Sequence, residues 1–185
     1  MDAFGFSKHV PQIIALQGAS RETIQSVLAE FAARCQRRGF RVGGMVEIAG
    51  ACGRGACGSL ALKDLSSGAT FSISQDLGPG SIACNLDTDG LSAACAAVER
   101  AIASGVDIVV LSKFGKQEAA RSGFCDAFRA AISAGLPVVT AVSPNLAKPW
   151  LDFAGPLSEF VTADIGALEA WVLASAGAAL SIAAE

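Results

Sequence analysis

The chain has 185 residues, of which 52% are hydrophobic and 17% are charged, and its net charge is −3. This length fits one domain, and the composition excludes a disordered chain and a coiled coil, both of which need more charge. No apolar run reaches the roughly 18 residues of a membrane span, and no secretory signal precedes the first predicted element. We therefore expect one domain over residues 1–185, with a frayed terminus at 1–10, in the cytoplasm and without a membrane partner.

The first half of the chain predicts a strand, a helix, a second strand and a hairpin. A short apolar run comes first, as in a buried strand. Ser20 can cap the following helix and Gly39 can end it, while alternating runs around Gly68 are typical of a hairpin. The elements predicted here are a strand at 12–17, a helix at 20–39, a strand at 41–48, a glycine-rich loop at 49–58 and a hairpin of 59–65 and 70–75.

The second half alternates between helices and strands. Asp87 or Thr88 can cap its first helix, and β-branched residues at 107–112 predict a central parallel strand buried on both faces. Asp164 can cap a terminal helix that is rich in alanine and expected to be buried. The predicted elements are an irregular loop at 76–86, a helix at 87–105, a strand at 107–112, a turn at 113–116, a helix at 117–134, a strand at 136–143, a proline-broken region at 144–156, a short strand at 158–162 and a helix at 167–184.

This alternation indicates an α/β fold with a mostly parallel sheet and one inserted β-hairpin. Ligands of such sheets bind outside the carboxyl ends of the strands. The segments expected at that edge are 18–21, 47–58, 112–116 and 143–148, so the functional residues are sought there.

The turn after the first predicted strand carries Gly18, Ala19, Ser20 and Arg21. Its backbone N–H groups would lie at the positive end of a helix dipole, which attracts anions. A phosphate loop of the form GxxxxGK[ST] would also place a Lys on the phosphates, whereas this turn has no Lys and Glu22 would oppose an anion. The turn is therefore either a weak anion site or an ordinary start of a capped helix.

A second charged segment follows the most strand-like run of the chain and reads Ser-Lys-Phe-Gly-Lys-Gln-Glu at 112–118. In the functional interpretation Lys113 and Lys116 bind an anion together with Ser112, and Glu118 orients one lysine. In the alternative interpretation these charges are simply solvated at a turn.

The six cysteines are expected to be free thiols in a reducing compartment. Cys35, Cys95 and Cys125 fall in apolar helical patterns and are interpreted as small buried hydrophobes. The loop residues Cys52, Cys57 and Cys84 are weak metal candidates, because their spacing is not that of a zinc site and the only histidine is His9 near the terminus. Arg54, between two glycines, is a further candidate contact for an anion.

Basic residues are spread thinly, since no run is longer than the pair Arg37-Arg38. Binding to nucleic acid needs a concentrated basic surface and aromatic side chains that stack on bases. Tyr is absent and Trp occurs twice. We therefore expect no nucleic-acid partner.

The segments SQDLG at 74–78, CNLD at 84–87 and KFGKQE at 113–118 carry a resemblance. With them, the order of elements over roughly 10–175 resembles a small uncharacterised bacterial family that is similar to the nucleoside-triphosphatase branch of P-loop proteins. The resemblance implies a three-layer fold of that type. It also suggests a link to molybdenum-handling gene neighbourhoods.

The chain departs from the active triphosphatases of that branch at the positions that matter for catalysis. Ser112 occupies the position that resembles their magnesium-directing Asp, and Lys113 occupies the neighbouring position, which is acidic in them. The phosphate loop lacks its Gly-Lys-Thr ending. Magnesium and a γ-phosphate would thus lose their usual partners. The resemblance therefore implies a binder more than a hydrolase.

These observations lead to one main hypothesis, the non-hydrolytic binding of a small anion at the strand ends. The anion would be the phosphates of a nucleotide, or an oxyanion such as molybdate or tungstate, and no cofactor is identified. The proposed donors are Arg21, Arg54, Lys113, Lys116 and the amides of the first turn.

Two alternatives stay open at this point. One is a residual nucleoside triphosphatase or transferase in which Glu47 or Asp87 replaces the lost acids. The other is an interaction module without a ligand, which could form a homo-oligomer through its apolar excess.

Overall fold

The computed structural model of the chain describes residues 10–49, 60–75 and 85–182. The strands are β1 (Ile13–Gln17), β2 (Val42–Ala49), β3 (Leu60–Asp64), β4 (Thr70–Ser72), β5 (Ser74–Gln75), β6 (Asn85–Leu86), β7 (Ile108–Phe114), β8 (Val138–Val142) and β9 (Ser158–Thr162). The helices are α1 (Arg21–Arg37), α2 (Thr88–Ala103), α3 (Lys116–Ala119), α4 (Cys125–Ser133), α5 (Ala147–Ala154) and α6 (Ile165–Ile182). Short 3-10 turns at Pro144–Leu146 and Gly155–Leu157 flank α5.

Seven of these strands form one sheet in the order β4-β3-β2-β7-β8-β1-β9. The five strands from β2 to β9 are parallel, and the hairpin β3–β4 adds two antiparallel strands at one edge. The expected α/β fold with a mostly parallel sheet and a hairpin insertion is confirmed. The strands β5 and β6 form a separate antiparallel pair.

Helices cover both faces of the sheet, which makes three layers. On one face, Leu28 and Phe31 of α1 and Leu168 of α6 pack against the sheet. On the other face, the core includes Phe128 of α4 and Trp150 of α5 together with apolar residues of α2. The central strands are buried on both sides, as their continuous apolar sequences predict. None of the helices in the described part of the chain is long and apolar enough to cross a membrane.

Three predicted helix caps are confirmed. The Ser20 hydroxyl accepts a hydrogen bond from the Thr23 amide at 3.2 Å, and Asp87 accepts from two amides in the first turn of α2. At α6 the Ala167 amide donates to Asp164 Oδ1 at 2.7 Å. These side chains satisfy amides that the first helical turn leaves without an intrahelical partner.

The close approach of β2 and β7 depends on Gly44. Its φ is +117°, a conformation that favours glycine, and a Cβ at this position would overlap the carbonyl group of Val110. The register pairs Gly44 with Val110 and Met45 with Leu111. This contact brings the carboxyl end of β2 next to the carboxyl end of β7.

The prediction of a single helix at 117–134 is wrong, because this segment forms two helices, α3 and α4. Glu118 is buried, and its carboxylate accepts hydrogen bonds from the amides of Gly115 at 2.8 Å and Phe124 at 2.9 Å. Arg121 and Gly123 both have positive φ, which an α-helix does not allow. The chain between the two helices therefore folds around the Glu118 carboxylate.

The boundaries around β7 also differ from the prediction. The strand continues past Ser112 to Phe114, so Lys113 belongs to the strand and Lys116 to α3, and the predicted turn at 113–116 is wrong. After a register shift Phe114 pairs with Val142, and its side chain is buried. Burial of this aromatic ring explains why the strand extends beyond the β-branched run.

Three further predicted elements are corrected. The proline-broken region contains α5, because Pro149 lies in the first helical turn, where an absent N–H removes no intrahelical bond. The strand predicted at 70–75 is interrupted at Ile73, and Asn85 and Leu86 belong to β6 instead of a loop. Over the residues whose burial is described, the terminal helix is buried on one side only, since Leu168 is buried whereas Leu173 is 51% exposed.

Candidate functional site

A cavity of about 660 Å³ opens at the carboxyl ends of the neighbouring strands β1, β8 and β7. Its walls come from the start of α1, from the end of β7 and from the segment after β8. The lining residues are 17–21, 24–25, 113–115, 141–144 and 146. The edge of the sheet at which the sequence predicts a site thus carries the cavity, and the segments 18–21, 112–116 and 143–148 all contribute to it.

The connection between β1 and α1 forms part of the cavity wall. Only Gly18, Ala19 and Ser20 lie between the last residue of the strand and the first residue of the helix. Gly18 has a φ of +84°, which lets the chain turn sharply into the helix. The first amides of the 17-residue helix α1 therefore lie at the carboxyl end of β1, where a helix attracts negative charge.

Two cations of the cavity wall share one carboxylate, that of Glu47. Arg21 Nε donates to Glu47 Oε2 at 2.8 Å, and Lys113 Nζ lies 2.7 Å from Oε1. This second contact is an ion pair, and Oε1 accepts no hydrogen bond from the residues that the structure describes. The side chain of Glu47 is only 5% exposed, whereas those of Arg21 and Lys113 are 51% and 45% exposed. We call these three residues the Glu47 triad.

Gln25 of α1 holds the ends of β2 and β7 in place beside the Glu47 triad. Its Nε2 donates to the carbonyl of Ser112 at 2.7 Å, and its Oε1 accepts from the amide of Glu47 at 3.2 Å. One amide side chain thus links three elements of the fold. The positions of Glu47 and of the residue next to Lys113 are therefore fixed by the same side chain.

The rest of the cavity lining is mostly apolar. It includes Phe114, Val142, Pro144 and Leu146. The Phe114 ring also contacts Trp150 edge-to-face, with ring centroids 5.0 Å apart, so this wall rests on the aromatic core. Within the same lining, the buried Nε2 of Gln17 has no hydrogen-bond partner among the described residues. A hydrogen-bond acceptor on a bound molecule would satisfy this amide.

The structure brings some of the predicted site residues together and separates others. Gly18, Ala19, Ser20, Arg21 and Lys113 all line the cavity. Ser112 is buried, with its carbonyl bonded to Gln25, and does not belong to the lining, whereas Lys116 is exposed on the first turn of α3 and is also outside it.

The expectation that Glu118 orients a lysine is wrong. Its two oxygens accept hydrogen bonds from the amides of Gly115 and Phe124, so its hydrogen-bond partners are backbone groups and not a lysine. The other nominated acid, Asp87, caps α2.

Several of the predicted positions lie outside the described residues: His9, Cys52, Arg54, Cys57 and Cys84. Among the residues that are described, no group of three or more His, Cys, Asp or Glu side chains could hold a metal ion. The other three cysteines, 35, 95 and 125, are buried free thiols, as predicted. Burial raises the pKa of Cys35 to about 11 and that of Cys95 to about 12, so both thiols are protonated at neutral pH.

Sequence reasoning named Glu47 as a loop carboxylate without finding its partners. The signal that could have found them is the opposite charge of Glu47 and Lys113 at the ends of two apolar strands. That signal becomes informative only when β2 and β7 are known to be neighbours, and the strand order depends on the whole sheet.

Comparison with known proteins identifies the family. Residues 13–171 match the family described as "Protein of unknown function (DUF2478)", and the chain belongs to that family. Over 160 residues the chain is 38% identical to "Molybdenum import ATP-binding protein ModC 2" of Bradyrhizobium diazoefficiens. The match covers 86% of this chain but 18% of that protein, so the chain spans less than a fifth of the length of this relative.

A solved structure shows the same fold. The crystal structure of THEP1 from the hyperthermophile Aquifex aeolicus matches with a TM-score of 0.56 over 81% of this chain and 87% of that chain. The two sequences are 13% identical. The expected three-layer α/β fold of the P-loop nucleoside triphosphatases is thereby confirmed.

Proposed function

We propose that this member of the family binds a nucleotide, or another organic phosphate of similar size, in the cavity at the strand ends and does not hydrolyse it. The observation that carries the proposal is the mixed lining of the cavity. It combines the start of α1, Arg21 and Lys113 with the apolar residues Phe114, Val142 and Leu146. A ligand that joins a phosphate to an apolar ring matches both kinds of lining.

The size of the cavity supports an organic ligand over a bare oxyanion. A volume of about 660 Å³ falls within the usual range for sites of small organic molecules. Molybdate, tungstate or inorganic phosphate would fill only a small part of this volume and would leave apolar lining uncovered. Molybdate and tungstate are therefore the second candidate ligands after a nucleotide. They are included in the test because the name of the Bradyrhizobium relative refers to molybdenum import.

The partners of the acidic residues argue against hydrolysis. Magnesium takes oxygen ligands, chiefly carboxylates, phosphates and water, and no carboxylate lines the cavity among the described residues. Glu47 already contacts two cations, which would repel a metal ion at the same oxygens. For residual triphosphatase activity, Glu47 would have to lose its contacts with Arg21 and Lys113, or Asp87 would have to leave the N-terminus of α2.

The relatives support nucleotide binding only in general terms. The printed name of the Bradyrhizobium protein refers to ATP binding and molybdenum import, but the part shared with this chain is 18% of that protein. Those properties belong to the whole relative. The proposal for this chain therefore rests on the cavity and its charges.

The test is a ligand series measured by thermal stabilisation and calorimetry, with AMP, ADP, ATP, the guanosine equivalents, phosphate, molybdate and tungstate. A ligand that binds only the folded chain raises the midpoint of unfolding. We expect at least one nucleotide to stabilise the chain more than any inorganic anion does. Stabilisation by molybdate or tungstate alone would instead assign the site to an oxyanion.

Lys113→Ala tests the assignment of residues. A charged hydrogen bond to the ligand contributes about 1.5–3 kcal/mol, so the variant should bind roughly tenfold to a hundredfold more weakly. Lys63→Ala is the matched control, because Lys63 is an exposed lysine on the edge hairpin, outside the cavity lining. Equal affinity of both variants would contradict the role of Lys113.

A further inference from the structure

We propose that Glu47 limits the charge of the ligand, so that the cavity prefers a phosphodiester or monophosphate end over a triphosphate end. The inference rests on the proposed function and narrows it to a ligand class. It comes from one observation that the proposed function leaves unused, a buried carboxylate directly behind the two cations of the cavity wall.

The charge of the Glu47 triad is the first step. Two cations and one carboxylate leave a single net positive charge, although Arg21 and Lys113 both line the cavity. The N-terminus of α1 adds about half a positive charge. Glu22 in the first turn of α1 opposes it, because hydrogen bonds from its own backbone amide and from Ser20 lower the pKa of this carboxyl and keep it ionised.

The requirement of the ligand is the second step. Sites that hold a triphosphate combine lysine, backbone amides and magnesium to neutralise its charge. Here the Glu47 triad supplies one net positive charge, the helix end and Glu22 act in opposite directions, and the described lining holds no carboxylate that could bring magnesium. A phosphodiester carries one negative charge and fits this balance, and a monophosphate comes next.

The burial of Glu47 is the third step. Its side chain is 5% exposed and contacts α1 through Arg21 and β7 through Lys113, so it cannot turn into solvent when a ligand enters. The repulsion between a fixed carboxylate and a bound anion grows in proportion to the charge of the anion. Each additional phosphate on the ligand therefore gains less at this site than it would without Glu47.

A purely structural role is the competing explanation for Glu47. In that case it ties β2 to α1 and β7, and its neutralisation weakens the fold while leaving the order of ligand affinities unchanged. The two explanations differ in how the affinity depends on ligand charge.

The experiment uses cyclic AMP, AMP, ADP and ATP without magnesium, or the guanosine series if guanosine nucleotides bind better, measured by calorimetry at low salt. In the wild-type chain we expect affinity to fall from the cyclic or monophosphate form to the triphosphate. In Glu47→Gln the affinity for the triphosphate should rise on the order of tenfold, and the affinity for the monophosphate should rise by a smaller factor. Glu99→Gln, which removes an exposed carboxylate from α2, controls for net charge and should keep the wild-type order.

Each outcome decides a different point. If no nucleotide binds to the wild-type chain, the proposed function fails. If nucleotides bind and ATP binds most tightly, or if Glu47→Gln changes all affinities equally, only the role of Glu47 is overturned. If Glu47→Gln does not fold, the wild-type series and Glu47→Asp, which keeps the charge and should keep the order, still test the inference.

Discussion

Two buried carboxylates lie close to the same cavity and are neutralised in different ways. Glu47 at the end of β2 pairs with the side chains of Arg21 and Lys113. Glu118 in α3 accepts hydrogen bonds from the backbone amides of Gly115 and Phe124 and has no ion-pair partner among the described residues. A carboxylate held by amides fixes the path of the chain, whereas a carboxylate held by cations sets the charge of the surface that those cations form.

The largest expected effect comes from Glu118→Gln. The amide side chain offers one acceptor oxygen, so one buried N–H loses its charged partner and faces another donor. We expect a loss of about 2–3 kcal/mol in the free energy of unfolding, measured by chemical denaturation. Glu99→Gln is the exposed control and should change stability by less than about 0.5 kcal/mol. A stability equal to wild type would mean that the loop between α3 and α4 does not depend on this carboxylate.

Glu47→Gln should lower the free energy of unfolding by less than Glu118→Gln does, and the size of its effect should depend on the salt concentration. Arg21 and Lys113 are about half exposed, so solvent and ions screen their attraction to Glu47. We expect a loss of about 1–2 kcal/mol at low salt, which shrinks in about 1 M salt. The cost of Glu118→Gln should persist there, since backbone amides carry no net charge to screen. Equal salt dependence of the two variants would remove the distinction between the two sites.

The smallest expected effect concerns the thiols packed around Glu118. Cys95 donates to the carbonyl of Gly123 and Cys125 to that of Glu118, both at 3.2 Å. Burial, and then the charge of Glu118, raises the pKa of Cys95 from its ordinary value of 9.0 to about 12. The unfolded chain therefore loses this proton at lower pH than the folded chain, so stability is full below pH 9 and falls as the pH rises towards 12.

The measurement for this thiol is the free energy of unfolding between about pH 9 and pH 10. Cys95 alone should contribute a loss of about 1 kcal/mol over this interval. Cys95→Ala should flatten the dependence by that amount, with Lys63→Ala as a surface control. An unchanged slope in Cys95→Ala would show that the thiol titrates alike in both states.

Much of the fold follows from local sequence. The apolar runs of β1, β7 and β8 and the caps Ser20 and Asp87 predict the parallel sheet and the starts of its helices. The division between α3 and α4 does not follow from it, because apolar residues at helical spacing continue through 124, 128 and 132. The helix ends because the Glu118 carboxylate accepts hydrogen bonds from two amides that are nine residues apart, those of Gly115 and Phe124. The helix propensities of the individual residues do not predict such a contact.

The site is predictable to a similar degree. The rule that ligands bind at the carboxyl ends of parallel strands correctly brings Gly18, Arg21 and Lys113 to one cavity. It does not show that Lys116 lies outside the lining, which depends on α3 starting one residue after β7 ends. It also does not show that Glu47 neutralises part of the charge, which depends on β2 and β7 being adjacent.

The aromatic wall below the cavity also gives the chain a fluorescent reporter of its own. Trp150 is fully buried against Phe114, whose ring lines the cavity, while the second indole, Trp171, lies on the opposite face of the sheet and donates to the carbonyl of Pro11. A guest molecule that displaces Phe114 would change the emission of one indole and leave the other untouched. Occupancy of the cavity can therefore be followed optically in a Trp171→Phe chain, without attaching any dye.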